Sequence, residues 1–274
     1  MSGISILGVH GVGNLQPGLD PAEAGGRLSG WWSSALKTLP SLEMQVEVFY
    51  YAHMLSPSAA QGGGGVSFLD GDASAAAVAW ASHLGAYEGV PQGRLTQPVR
   101  MGAEWVATRF GLDHGLTARF VAAFFPEVTR YFADIRARTA AIEGLAQAIA
   151  RVSPRILIAH SLGSVIAYEA LHAHPDCQVE VFLTLGSPLA MPDVVYDRLA
   201  EHAGPRGRPP GIRRWINIAD HGDIIAIPKG GISQAFSGLA GDISDSIHAF
   251  DFHRVAGYLA CPATAGVLAA IAPP

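Results

Sequence analysis

Charge is scarce in this chain. Asp, Glu, Lys and Arg make up 15% of its 274 residues, and the formal balance is −5. No basic stripe is present, so nucleic acid is not an expected partner. Cysteine is scarcer still. Cys177 and Cys261 lie far apart, with no His or Cys beside them at metal spacing. They read as reduced structural residues, with a disulfide left open. No apolar run reaches a membrane-spanning length without charge, Gly or Pro, so no membrane span is expected. Met1-Ser2-Gly3 has no basic residue ahead of the short run Ile4 to Val9, so a secretory leader is not expected and the cytoplasm is the expected compartment. There is no His-Glu-x-x-His and no cysteine pair, so no metal or other cofactor is expected. The glycine run Gly62 to Gly65 lacks the Lys-Ser/Thr ending of a phosphate loop and reads as a flexible connection. No internal repeat stands out.

What the chain has in quantity is apolar residues, at 49%, enough for one large core. Five short apolar or alternating runs read as strands: Ile4 to Val9, Met44 to Tyr50, Arg155 to Ala159, Glu180 to Leu185 and Arg214 to Ala219. Helical patterns separate most of them, beginning with Leu28 to Leu39. The expected class is α/β: one domain over 1–274, with a mostly parallel twisted sheet and helices on both faces. Between Tyr51 and Ser153 no strand pattern is visible. Helical patches cover Ala75 to Leu84, Met101 to Phe110 and Leu116 to Phe125, and one long helix is expected over Val128 to Val152. Ala52 to Pro126 reads as an inserted helical cap over the carboxyl edge of the sheet, where open α/β sheets place their sites.

Ala159-His160-Ser161-Leu162-Gly163 joins an apolar strand to a helical run. No other serine in the chain has Gly or Ala two before it and Gly two after it. A tight strand-to-helix turn needs small neighbours, and it lifts the apical serine above the sheet. The helix N-terminus behind it favours developing negative charge. Ser161 is therefore the candidate nucleophile, although an ordinary serine-capped loop fits the same pattern. His10-Gly11-Val12-Gly13-Asn14 follows the first strand, and its glycines permit close backbone approach. Acyl transfer needs two backbone N–H donors for the oxyanion. Leu162 would supply one, and Val12, with Gly13 second, the other.

A serine nucleophile also needs a base and an acid that orients it. Asp220 and Asp223 both follow the last strand pattern, and strand-end aspartates also form turns. His253, just before the helical run Val255 to Ala260, fits the base better than His248, which lies within an apolar stretch. His160 is expected to point away from the reaction.

The segments around Val9 to Asn14, Ile158 to Val165, Asn217 to Asp223 and Phe252 to Leu259 together resemble the α/β-hydrolase superfamily, in its bacterial lipase- and esterase-like form. The Ala-His-Ser-x-Gly elbow is similar to that of small bacterial lipases. The resemblance implies Asp223 over Asp220 as the acid, and its His-x-x-x-x-Tyr-Leu ending supports His253. It also implies a minimal N-terminal half of the fold, and it leaves no recognisable strand between Asp223 and His253 to finish the sheet. The activity implied is a serine hydrolase acting on a small-molecule carboxylic ester or thioester through Ser161, Asp223 and His253, with Val12 and Leu162 as the oxyanion hole. The same triad would serve an acyltransferase or a chain-releasing thioesterase or cyclase. A non-catalytic binding protein of the same fold is the remaining alternative. The sequence does not speak to oligomeric state.

Overall fold

A computed structural model describes residues 3–36, 43–55, 69–88, 97–200, 206–226, 231–247 and 253–271. Its centre is a six-stranded sheet in the order β2-β1-β3-β4-β5-β6, with every adjacent pair parallel. The strands are β1 Ile4–Val9, β2 Met44–Phe49, β3 Ile156–His160, β4 Val179–Leu185, β5 Ile212–Asp220 and β6 Gly241–Asp245. The class is α/β, and the sheet is wholly parallel among the described residues.

Alternation along each strand divides the core in two. Leu7, Val9, Leu157, Ala159, Phe182 and Trp215 face one side. Ile6, Ile156, Ile158, Val181, Leu183 and Ile218 face the other. A parallel sheet buries both faces, so its strands are apolar throughout. On the second side lie α1 (Pro21–Leu36), α8 (Val255–Ala260) and α9 (Pro262–Ala269), through Trp32, Tyr258 and Leu268. On the first side lie α3 (Gly71–His83), α4 (Pro98–Phe110), α5 (His114–Ala133), α6 (Ile135–Val152) and α7 (Leu162–Ala173). The four-residue α2 (Ala52–Leu55) follows β2.

Two expectations about elements change. The single helix expected over 128–152 is two, because Asp134 leaves helical geometry and caps α6 through its side chain. Helix α5 runs straight through Pro126, so that residue ends nothing. The sheet edge that looked unfinished is closed by β6, a strand with one apolar residue, Ile243. Side chains as well as the ladder hold it: Asn217 Nδ2 donates to Asp242 Oδ1 at 2.8 Å, while Asn217 Oδ1 accepts from Thr184 Oγ1. Cys177 and Cys261 are both free thiols. No described helix is long and apolar enough to cross a membrane. The run Gly62 to Gly65 and His248 lie outside the described residues.

The direction in which strands are added reverses between β1 and β3, since β2 lies to one side of β1 and β3 to the other, while the strands themselves stay parallel. Such a switch point opens a crevice at the carboxyl ends of the strands. The loops leaving β1 and β3 are Gly11 to Asn14 and the Ser161 turn.

Candidate active site

Ser161 adopts φ 54°, ψ −130°, a conformation that costs a non-glycine residue of order 1–3 kcal/mol. The turn is held from both sides. Ser161 N–H donates to the Leu185 carbonyl of β4 at 3.1 Å. The Ser161 carbonyl accepts from Ser164 N–H at 2.9 Å and from Ser164 Oγ at 2.6 Å. The small neighbour at 163 is obligatory, because a Cβ there would sit 2.3 Å from the His10 carbonyl oxygen. Leu162 begins α7, so its N–H has no acceptor within the helix.

The loop after β1 lies directly against this turn. A Cβ on Gly11 would fall 2.7 Å from Ser161 Cβ. The carbonyls of the loop are turned inward: Asn14 Nδ2 donates to the Gly11 and Val12 oxygens at 3.0 and 3.1 Å. His10 adds a third contact. Its Nε2 accepts the Tyr51 N–H at 3.1 Å, so Nδ1 carries the proton and donates to the Gly11 oxygen at 2.8 Å. Burial lowers His10 to about 4, which keeps that neutral tautomer across the physiological range. Gly13 N–H donates to Glu127 Oε1 at 2.8 Å. Among the described residues no acceptor takes the Val12 N–H.

His253 Nδ1 donates to Asp223 Oδ2 at 2.7 Å, with both side chains buried. The same oxygen accepts from Tyr258 Oη at 2.6 Å, and Asp223 Oδ1 accepts the N–H groups of Ile225 and Ala226 at 2.8 and 3.4 Å. Asp220 does different work. Its oxygens accept the N–H groups of Gly222 and Ile247 at 2.7 Å each, which shapes the turn. The pair packs against the end of β4: a Cβ on Gly186 would lie 2.8 Å from Asp223 Oδ2 and 3.1 Å from His253 Cε1. Gly186 follows Leu185, the residue that anchors Ser161 N–H. With Nδ1 protonated, His253 Nε2 is the basic nitrogen. It is buried without a partner among the described residues, and so is Ser161 Oγ. Two orphaned groups of this kind, a hydroxyl and a basic nitrogen, are unusual in a folded interior.

His160 does not turn away. Its ring centroid lies 4.8 Å from that of His253 and 5.9 Å from that of Tyr258. It shares a strand face with Ile156 and Ile158, the face that α8 covers, so the strand geometry directs it to Tyr258 and His253. Burial, and then the neighbouring His253, push its pKa well below the usual imidazole value, so it is neutral.

The helical segment after β2 reaches the same place. Phe120 and Phe124 of α5 stack on each other at 5.3 Å, and their centroids lie 5.2 and 6.5 Å from that of His253. Trp80 Nε1 of α3 donates to the Ile224 carbonyl at 2.8 Å. Trp105, by contrast, is exposed on α4. Beneath the elbow helix, buried Glu169 of α7 accepts from Arg138 Nε at 2.9 Å, Tyr131 Oη at 2.5 Å and Ala200 N–H at 2.9 Å, which ties α5, α6 and α7 together.

No group of three or more His, Cys, Asp or Glu side chains among the described residues is arranged to hold a metal. A groove of about 550 Å³ between the N-termini of α3 and α6 shares no residue with the Ser161 site, and its Asp70 and Asp134 are occupied as helix caps. Tyr258 was visible in sequence only as part of the His-x-x-x-x-Tyr-Leu segment. Glu127 carried no signal at all, being 114 residues from Gly13. Compared with known proteins, the chain matches no family model and no curated protein.

Proposed function

We propose that this protein is a serine hydrolase of the α/β-hydrolase type, acting on a carboxylic ester or thioester. One observation carries the reading: a buried Asp223–His253 pair leaves a basic Nε2 without a partner among the described residues, and Ser161 Oγ, likewise unpartnered, stands on a strained turn beside His160, whose ring lies 4.8 Å from that of His253. The reaction follows from that arrangement. Ser161 Oγ attacks the acyl carbon and its proton passes to His253 Nε2. The Val12 and Leu162 N–H groups receive the oxyanion. The tetrahedral adduct collapses, the bond to the alcohol or thiol breaks, and His253 returns the proton to that leaving group. Water then attacks the acyl-enzyme with His253 as base, releasing the carboxylic acid and free Ser161. Asp223 holds the imidazole tautomer and steadies its cationic form.

Helices α3, α4 and α5 would then act as a cap, one that extends past Pro126 because α5 continues to Ala133, with Phe120 and Phe124 forming an apolar wall for the acyl chain. Ser161 is fully buried, so a path to it has to open before substrate can react. That burial also favours a second reading, acyl transfer to an alcohol or amine, since a dry site disfavours water as acceptor. A fluorophosphonate probe tests the first proposal. Wild-type protein should label and Ser161→Ala should not, with unchanged circular dichroism. Undiminished labelling of the variant would move the nucleophile elsewhere. Product analysis with added alcohols separates hydrolysis from transfer.

A further inference from the structure

We propose that Glu127 is a positioning residue for the oxyanion loop: by accepting the Gly13 N–H it holds the loop so that the Val12 N–H is the donor to the reacting carbonyl. This rests on the hydrolase reading above. The loop has glycine at 11 and 13, with Gly13 at φ 73°, so it has little conformational preference of its own. His10 and Asn14 secure its carbonyls from within. Glu127 Oε1 is the contact that arrives from the helical segment, and it occupies the one N–H that competes with Val12. Glu127 Oε2 is buried without a partner among the described residues, and no ion pair there explains why the carboxyl is in place.

Position on α5 gives the contact a wider consequence. Residues 120, 124 and 127 lie on one helical face. Phe120 and Phe124 edge His253, and Glu127 holds the oxyanion loop. Movement of α5 therefore disturbs the wall of the base and the oxyanion donor together, and its return restores both. The bond itself needs only an oxygen acceptor. Burial raises the Glu127 carboxyl to about 7, and each protonation form still offers an oxygen to Gly13. Two titratable groups beside the loop, Tyr51 and His10, are displaced from that range in opposite directions. Burial, and then this carboxylate, push the Tyr51 phenol up, while burial pushes His10, stacked on Tyr51, down to about 4.

The test uses full-length wild type, Glu127→Gln and Glu127→Ala. Val12-Gly13 is the only Val-Gly step in the chain, so protein labelled with 13C-carbonyl valine and 15N-glycine gives one selectable Gly13 amide signal. In wild type that signal should titrate near neutral pH, and in Glu127→Gln it should not. On a short acyl ester, Glu127→Ala should lose about 10- to 100-fold in kcat, less than the roughly 10²–10³ of deleting an oxyanion donor outright, because the Val12 N–H is displaced and not removed. KM should change little, and Glu127→Gln should restore kcat to within about 3-fold of wild type. An unchanged kcat in Glu127→Ala, a Gln variant as poor as Ala, or a Gly13 amide signal that is the same in wild type and Glu127→Ala would each overturn the proposal. If Glu127→Ala does not fold, the Gln variant and the Gly13 titration still decide. Absence of fluorophosphonate labelling in wild type would sink the hydrolase reading instead, and the titration would still report the hydrogen bond.

Discussion

Tyr258 Oη donates to Asp223 Oδ2 at 2.6 Å, the carboxylate oxygen that also receives His253 Nδ1. The phenol in turn accepts the Asp220 N–H at 2.9 Å. One side chain thus ties the turn after β5 to the acid–base pair. Tyr258→Phe removes the donor and keeps the ring in its packed place. One hydrogen bond to a charged group is worth about 1.5–3 kcal/mol. The expected result is a fall of about 10- to 100-fold in kcat/KM, with the melting temperature lowered by a few degrees. Steady-state kinetics on a short ester, beside thermal unfolding, measure both.

Asp223 and Asp220 have opposite assignments, and their amide variants separate them. Asp223→Asn presents an amide to His253 and mis-sets its tautomer, an effect that reaches about 10⁴ in turnover for a triad. Asp220→Asn keeps an acceptor for only one of the two N–H groups that Asp220 receives, from Gly222 and Ile247, so it loosens the turn but leaves the His253 pair its carboxylate, and activity should stay within about 10-fold of wild type. Equal losses in the two variants would show that the turn, rather than the pair, limits the reaction.

Gly163 is the most constrained position of the elbow. A methyl there meets the His10 oxygen at 2.3 Å and the Val9 oxygen at 2.6 Å, both backbone atoms at the carboxyl end of β1 beside Ser161. Gly163→Ala must separate β1 from α7 or distort the turn, and overpacking of this kind costs about 1–3 kcal/mol or more. Urea unfolding should show that loss, and probe labelling should fall even where the chain folds.

Stability should carry the signature of Glu127. Its folded pKa is raised from 4.5 to about 7, so the folded protein keeps a proton that the unfolded chain releases. The contribution is complete below pH 4.5 and is lost as pH rises through about 7, for a total of about 3 kcal/mol. His10 has the reverse sign. Its folded pKa falls from 6.5 to about 4, so its contribution is present above 6.5 and is lost as pH falls toward 4. Urea midpoints between pH 5 and 9 should show wild type declining relative to Glu127→Gln from pH 5 to about 7 and running level with it above that. Parallel curves for the two proteins would remove the buried carboxyl from the account.

Local pattern made the α/β class legible. Ile4 to Val9 and Ile156 to Ala159 are buried on both faces, and that need is written in consecutive apolar residues. The Ser161 turn was legible for the same reason, since small residues two before and two after it are a local steric demand. The edge strand β6 was not, because Gly241-Asp242-Ile243-Ser244-Asp245 has no apolar period, and Asn217 of the neighbouring strand supplies part of what holds it. Asp134 was missed because a side-chain cap inside a helical pattern leaves no break in hydrophobicity.

By itself, the sequence determined which short segments become strands and where a serine rises on a tight turn, because those depend on neighbours in the chain. Only the tertiary structure decided that His253 bonds Asp223 and not Asp220, that His160 turns inward, and that Glu127 reaches Gly13. Those contacts join residues that many positions of chain separate, and parallel strands set their meeting points through crossovers whose register no local pattern records.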